Sequence, residues 1–195
     1  GLEPSFGFGD RLGLAGPGHL ESLRERGGPI RGIFAQQSIR EMERTDRDAP
    51  EVLDDAMWAV LAEGWRDGYG ADADHLKTTA DIDRCLAGGY TFYTFDPGDH
   101  VGAIAADAPA TEIQRAFEAL PWEEMDDSPE VLPGRYGDDL RVEGHVVSFD
   151  GGVIQIAAIK YGRAIAQVGR MYRHLAERAG DQPFEVEVSV DEIDE

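Results

Sequence analysis

The stretch "GYGADADHLKTTADIDRCLAGGYTFYTF", residues 68–95, carries the pattern that decides the fold. A short β-rich run, "GYGADAD" (68–74), leads into the helical period "TTADIDRCLAGG", in which threonines can cap the first turn and Gly88 and Gly89 can end the last one. A second β-rich run, "YTFYTF" (90–95), follows directly. Strand, helix and strand in this order predict a parallel βαβ unit.

The same alternation continues on both sides of this unit, and it predicts an α/β fold of about five βα units. Further β-rich runs lie at 5–9, 32–37 and 184–190, and apolar residues at helical spacing predict helices within 49–68, 110–120 and 153–180. A closed barrel and a doubly wound open sheet both fit this pattern. The open sheet usually carries an ordered glycine fingerprint for a nucleotide, which "GFGDRLGLAGPG" lacks, so a TIM-type (β/α)8 barrel is favoured.

One segment breaks the alternation. Residues 121–152 hold three prolines and many acids, and "LRVEGHVVSF" within them alternates as a β-hairpin does. We interpret this segment as an insertion in a single domain that spans residues 1–195, a partial barrel.

The composition and charge restrict the possible partners. Hydrophobic residues make up 42% of the 195 residues, as is ordinary for a globular domain. The formal net charge of -21 repels phosphate backbones and anionic lipids, which disfavours nucleic acid and membrane surfaces as partners. We interpret the acidic surface as a solvated face, and the sequence leaves the oligomeric state open.

The cysteine content and the chain ends indicate where the protein resides. The single cysteine, Cys85, has the setting of a buried helix residue and suits a reducing compartment. The apolar runs are too short for a membrane span, and the N-terminus lacks the features of a signal peptide, so we expect a cytoplasmic protein. Because the chain begins without methionine and stops directly after a β-rich run, we also expect a fragment of a longer protein.

Polar side chains collect where the predicted strands end. Because the carboxyl ends of parallel strands meet at one edge, these side chains should converge on a functional site. The residues after the first four strands are Asp10, Arg11, Gln36, Gln37, Ser38, Arg40, Asp74, His75, Lys77, Asp96, Asp99 and His100. Taken alone, Asp74 is better interpreted as a helix cap and His75 as a loop residue.

The fifth strand alternates apolar and polar residues. Its polar positions are Glu185, Glu187, Ser189 and Asp191. On a half-exposed strand this polar face would meet solvent, whereas in a closed barrel it would point inward to the site.

Six stretches resemble the tagaturonate epimerases, a bacterial family of hexuronate catabolism whose members interconvert tagaturonate and fructuronate with a divalent metal. They are "SFGFGDRLGLAGPGH" (5–19), "IFAQQSIREMERT" (33–45), "VLDDAMW" (52–58), "GYGADADHLK" (68–77), "TFDPGDH" (94–100) and "FEVEVSVDE" (184–192). The resemblance covers most of the chain up to about residue 105 and again its end. Since family members are considerably longer, it implies a truncated (β/α)8 barrel.

The resemblance also implies roles for individual residues. It makes Asp74 the proton acceptor, His75 a ligand of a divalent metal and Glu187 the proton donor, and it puts two further metal ligands beyond Glu195. Guanidinium, amide and ammonium groups match the carboxylate and hydroxyls of a hexuronate. The substrate-binding candidates are Arg11, Gln36, Gln37, Arg40, Lys77 and His100. Arg40 fits a surface salt bridge as well.

The implied chemistry explains why two carboxyl groups and a metal are needed. The two hexuronates differ at a carbinol carbon β to the ketone, where the C–H bond is not acidified by enolisation. A retro-aldol route avoids this problem, with one carboxyl group taking a hydroxyl proton and another returning it on the opposite face. The alternatives are another metal-dependent sugar isomerase or aldolase on this fold, or a non-catalytic acidic fragment. The chain alone is expected to be inactive.

Overall fold

A computed structural model describes residues 3–105 and 107–190. Within them the strands are β1 (Ser5–Gly7), β2 (Arg31–Ser38), β3 (Gly70–Leu76), β4 (Phe92–Phe95), β5 (Leu140–Val142), β6 (His145–Val147) and β7 (Glu185–Val188). The α-helices are α1 (Gly16–Arg26), α2 (Ile39–Thr45), α3 (Ala49–Ala62), α4 (Thr79–Gly88), α5 (Ala110–Glu118), α6 (Leu132–Tyr136) and α7 (Gly151–Ala179). No helix among these residues is both long enough and apolar enough to cross a membrane.

The described residues form two compact units. The sheet unit contains the residues up to Asp96 together with His174 to Ser189, and the helical unit contains Pro97 to Arg173. The boundary differs from the predicted insertion at 121–152, because α5 and the first part of α7 also belong to the helical unit rather than to the βα units.

The sheet unit is built on one parallel sheet with the strand order β1-β2-β3-β4-β7. Neighbours in the sheet are also neighbours in the series of predicted strands, and helices connect them. The predicted α/β fold with parallel βα units is therefore confirmed, and each of the five predicted strands is present.

Capping boxes fix where the helices begin after the strands. Ser38, the last residue of β2, accepts a hydrogen bond from the Glu41 backbone, and the Glu41 side chain accepts one from the Ser38 backbone. The same pair of reciprocal hydrogen bonds, between Thr78 and Asp81, marks the start of α4. Such caps satisfy backbone N–H groups that a helix start leaves without partners, so each strand passes into its helix at a defined residue.

One face of the sheet packs against the helices. Its central residues, Ala73, Tyr93 and Phe95, are fully buried. Helix α3 contacts β2, and helix α4 contacts β3.

Cys85 of α4 is also fully buried, as predicted, and burial raises the pKa of its thiol to about 12. A thiol with so high a pKa is unreactive, which agrees with the structural role assigned to it.

The helical unit has its own small core. Phe117, Leu120 and Ile159 are buried together, with Trp122 and Met125 packed against them. The predicted hairpin is confirmed, since β5 and β6 pair antiparallel. The long helix predicted at 153–180 is confirmed as well, and Gly180 ends it in the left-handed conformation that favours glycine (φ +57°).

The largely buried side chain of Arg47 ties the loop after β1 to the rest of the sheet unit. Arg47 donates to Gln37 Oε1 at 2.6 Å and to the Asp10 carbonyl at 3.1 Å, and its guanidinium pairs with Asp55. The Asp10 carboxylate in turn accepts from the Ala15 backbone N–H at 2.8 Å, ahead of α1. The loop is therefore held by one network of charge-assisted hydrogen bonds.

We expect Arg47→Ala to lower the free energy of unfolding by about 2 kcal/mol, because it leaves the buried side-chain oxygen of Gln37 without its donor. The lost pair with Asp55, whose side chain is 43% exposed, should add little to this change. The matched control is Arg66→Ala, which removes an exposed guanidinium of the same unit and should change stability by less than about 0.5 kcal/mol. Urea unfolding of both variants measures the difference, and equal losses would contradict the role given to Arg47.

Candidate active site

The carboxyl ends of the central strands bring polar side chains to one face of the sheet. In a parallel sheet, paired residues of neighbouring strands point to the same face. The residues paired in register are Gln36 with Asp72 and Thr94 with Glu187. Asp74 follows Asp72 by two residues and so belongs to this face too. The polar face is opposite the face that packs on the helices.

A bulge at the end of β3 shapes the site. Ala73 pairs with Tyr93, but the next paired positions are Leu76 and Phe95, so β3 contains one more residue than β4 across this interval. His75 absorbs the extra residue by adopting a left-handed backbone (φ +54°). A bulge of this kind re-aims side chains, and here it interrupts the strict alternation at Asp74 and His75.

Asp74 and His75 form a hydrogen-bonded pair. The distance from His75 Nδ1 to Asp74 Oδ1 is 2.7 Å, and the side chains of His75 and Asp74 are 34% and 20% exposed. An ionised carboxylate only accepts, so Nδ1 carries the proton and the lone pair of a neutral ring is on Nε2. Histidines that bind metals commonly donate their other N–H to a carboxylate in this way.

Asp72 is the most deeply buried acid of the site. It is 2% exposed, and its two oxygens accept from different strands: Oδ2 from Gln36 Nε2 at 3.0 Å and Oδ1 from Thr94 Oγ1 at 2.9 Å. Burial raises the pKa of Asp72 to about 6, against the lowering effect of these two hydrogen bonds. The charges of Asp74 and Glu187 raise the pKa of Asp72 further.

Sequence analysis gave Asp72 and Thr94 no role. The signal that was available is the spacing of Asp72 and Asp74, because acids two residues apart on a strand share a face. Two acids on one face of a strand flanked by buried neighbours are unusual enough to mark both as functional candidates.

The side chain of Lys77 brings a positive charge to the same end of the sheet. Lys77 follows β3, and its Nζ is 3.6 Å from Oδ2 of Asp96, which follows β4 and is largely buried. Lys77 itself is exposed. The structure thus places an ammonium group beside the carboxyl ends of β3 and β4.

The other predicted substrate contacts differ in their surroundings. Arg11 is exposed and pairs with Glu41, Arg40 is exposed on α2, and Gln36 is half-buried beside Asp72. His100 lies in a 3-10 turn (Gly98–His100) of the helical unit, and its role in substrate binding stays a prediction.

Gln37 requires a correction. It is fully buried, its Nε2 donates to the Arg11 carbonyl at 3.3 Å and to Thr45 Oγ1 at 3.2 Å, and its Oε1 accepts from Arg47. Being adjacent to Gln36 on β2, it points to the opposite face, so its amide stabilises the fold and does not line the site.

The donor groups that the structure describes fit only part of a metal site. No group of three or more His, Cys, Asp and Glu side chains within residues 3–105 and 107–190 has an arrangement that could hold a metal ion. His75 fits the chemistry of one ligand, because Asp74 holds its Nδ1 proton. Asp191, on the predicted polar face of the last strand, lies outside the described residues.

Comparison with known proteins identifies relatives along the whole chain. A family model described as "UxaE: tagaturonate epimerase" matches residues 1–195. The tagaturonate/fructuronate epimerase of Thermotoga maritima is 41% identical over 194 residues, which cover 100% of this chain and 38% of that protein.

Crystal structures of a related epimerase also match this chain. The native crystal structure of fructuronate-tagaturonate epimerase from Cohnella laeviribosi superposes with a TM-score of 0.85 at 37% identity, and a glycerol complex of the same enzyme reaches 0.86. Each match covers 98% of this chain and 38% of the solved chain. The chain therefore spans about two-fifths of the length of these relatives.

We expect the Asp72 carboxyl to make stability depend on pH. A pKa of about 6 in the folded chain, against an ordinary 3.8, corresponds to about 3 kcal/mol. Since the folded state binds this proton more tightly than the unfolded state, the stabilisation is fully present below about pH 4 and is lost as the pH rises through about 6. The unfolding free energy of the wild type should therefore fall between these values relative to that of Asp72→Asn.

The comparison uses the pH slope and not the absolute stability, because Asp72→Asn also changes two hydrogen bonds at every pH. Chemical unfolding with a metal chelator present gives both curves. Parallel curves for the two proteins between about pH 4 and 7 would show that Asp72 titrates normally.

Proposed function

The chain belongs to the tagaturonate epimerase family, and from this premise we propose that the full-length protein carrying it interconverts D-tagaturonate and D-fructuronate. The observation that carries the proposal is the polar face on which the Asp74–His75 pair and Glu187 lie at the ends of parallel strands. Two carboxyl groups on separate strands and an imidazole oriented by one of them suit a metal-assisted proton exchange.

We infer that the five strands belong to a closed (β/α)8 barrel. The support is the sequential order of the parallel strands and the polar face opposite the helices. In a barrel this face points inward, and the strand ends that carry Asp74 and Glu187 form the rim at which such enzymes act.

The cofactor we propose is a divalent cation. His75 would hold it through Nε2, with Asp74 fixing the ring through Nδ1. We propose that the remaining ligands come from outside residues 3–105 and 107–190. When bound, the ion supplies Lewis-acid stabilisation of negative charge on the substrate oxygens.

The carboxyl groups have separate tasks in the proposed reaction. Asp74 accepts the proton of the substrate hydroxyl, and its second oxygen is suited to this because Oδ1 already accepts from His75. The C–C bond next to the carbinol carbon then breaks, giving an enediolate and an aldehyde. The aldehyde rotates, the bond re-forms on its other face, and Glu187 returns a proton to the new alkoxide. The net change is inversion at one carbon, with no oxidant or reductant required.

Binding a hexuronate anion at such an acidic site requires cations. Lys77, which follows β3 and lies 3.6 Å from Oδ2 of Asp96 after β4, is one candidate. The exposed Arg11 and Arg40 are further candidates for the substrate carboxylate, and Gln36 for a hydroxyl. We propose that this activity serves hexuronate catabolism, because the family is named for tagaturonate, a hexuronate. We propose that it takes place in the cytoplasm, which suits the single, buried thiol of Cys85.

The function is tested by incubating a full-length protein carrying this sequence with D-tagaturonate and a divalent ion and following D-fructuronate by NMR. In D2O, the retro-aldol route predicts that the epimerised carbon keeps its own hydrogen, because that C–H bond never breaks. Deuterium at this carbon would rule out the route, and the absence of any conversion would rule out the function.

Variants separate the acid–base residues from the metal ligand. Asp74→Asn and Glu187→Gln should each lower kcat by roughly 100-fold to 10,000-fold with little change in metal affinity. His75→Ala should weaken metal binding by at least about 10-fold as well as lowering the rate, with partial rescue by added metal.

The matched control is Glu185→Gln, which neutralises an acid on the same face of β7, two residues from Glu187. It should retain near-normal turnover. Epimerisation rates and calorimetric metal titrations give both quantities for all four variants. Equal loss in Glu185→Gln and Glu187→Gln would remove the specific role of Glu187.

A further inference from the structure

Asp72 stands apart from the other acids of the polar face. Each of its oxygens already accepts a hydrogen bond, from Gln36 Nε2 at 3.0 Å and from Thr94 Oγ1 at 2.9 Å, and its side chain is 2% exposed. A proton-transfer group needs an oxygen within reach of the substrate. A buried carboxyl group that links β2, β3 and β4 is instead suited to orient its neighbours.

The effect on Gln36 is specific. Because Asp72 accepts from Nε2, the amide is held with its nitrogen towards β3, and its Oε1 lies on the opposite side, against Gly7 of β1. A Cβ atom at Gly7 would lie 2.2 Å from Gln36 Oε1 and 2.6 Å from Gln36 Nε2, so a side chain at this position would displace the amide from its present place. Gly7 leaves room for the amide, and the hydrogen bond to Asp72 sets its orientation.

The effect on Thr94 follows from the same bond. Its hydroxyl proton is committed to Asp72 Oδ1, so the hydroxyl oxygen is available only as an acceptor on its other side. Thr94 pairs in register with Glu187 on β7. Asp72 therefore fixes the hydrogen-bonding direction of groups on both of its flanking strands.

We propose that Asp72 is a positioning residue of the epimerase reaction, which holds the Gln36 amide in a single orientation so that it reads the hydroxyl pattern of an open-chain hexuronate. This inference rests on the proposed function. It assigns substrate contact to Gln36 and an indirect role to Asp72. An amide in a fixed orientation distinguishes a hydroxyl that donates from one that accepts, whereas a freely rotating amide does not.

A double-mutant cycle on a full-length protein carrying this sequence tests the proposal. Asp72→Asn keeps the shape of the side chain but offers only one acceptor oxygen, so Gln36 and Thr94 can no longer both donate to it. We expect Asp72→Asn to reduce kcat/KM for tagaturonate by about 10-fold and Gln36→Ala to reduce it by at least as much. If Asp72 acts through Gln36, the double variant should be no worse than Gln36→Ala alone.

Losses that multiply, giving about 100-fold in the double variant, would overturn the proposal, since they would mean that Asp72 acts independently of Gln36. The matched control is Asp54→Asn, which neutralises an exposed acid on α3 and should leave kcat/KM unchanged. The absence of turnover in the unsubstituted protein would overturn the proposed function itself, an outcome distinct from multiplied losses in an active enzyme.

A second variant separates positioning from stability, and it covers the case in which Asp72→Asn folds poorly. Asp72→Asn combined with Gln36→Glu exchanges donor and acceptor: the amide introduced on β3 then donates to the carboxylate introduced on β2, and the number of acids is unchanged. We expect thermal stability to return towards that of the wild type while kcat/KM stays at least about 10-fold low. Recovery of turnover together with stability would show that the bond is only structural.

Discussion

The site depends on one backbone constraint, the bulge at the end of β3. A regular strand would send Asp74 and His75 to opposite faces, because side chains alternate along it. The left-handed conformation of His75 inserts one extra residue against β4 and lets the imidazole meet the Asp74 carboxylate at 2.7 Å. A non-glycine residue in this conformation costs about 1 kcal/mol. The capping box at Thr78 and Asp81 holds the chain immediately after the bulge and helps to offset that strain.

The charges of the acidic side chains set a second requirement, which concerns the binding of an anionic substrate. Burial raises the pKa of Asp72, and the charges of Asp74 and Glu187 add to that rise. The proposed substrate adds a further negative charge, so the site needs cations to bind it. Lys77 is the proposed source of one, and the proposed divalent metal at His75 would add to it. A surface with a net charge of -21 also repels anions at long range, so binding depends on these local cations rather than on the field of the whole chain.

All five strands of the parallel sheet were predicted from the sequence. The prediction succeeded because the spacing of apolar residues along the sequence differs clearly between its strands and its helices. The sequence did not predict α1 and α2. Helix α1 begins with two glycines and a proline, "GPG", and has little apolar periodicity, and α2 contains only seven residues.

Gln37 was assigned to the wrong face of the sheet. The sequence does not distinguish Gln37 from its neighbour Gln36, although Gln37 faces the helices and Gln36 faces the candidate site. The boundary of the helical unit also escaped prediction, because α5 and α7 have the amphipathic pattern of ordinary βα helices and only the three-dimensional contacts separate them.

Asp72 and Asp74 show how position along one strand divides two identical side chains between two tasks. Asp72 lies deeper, where burial raises its pKa and two neutral donors occupy its oxygens. Asp74 lies two residues nearer the strand end, is more exposed and has a histidine partner. The deeper carboxyl can fix neighbouring groups but has no oxygen to offer a substrate, whereas the outer one has. Environments that differ in this way over two residues would let a single strand provide both the proposed positioning group and the proposed proton acceptor.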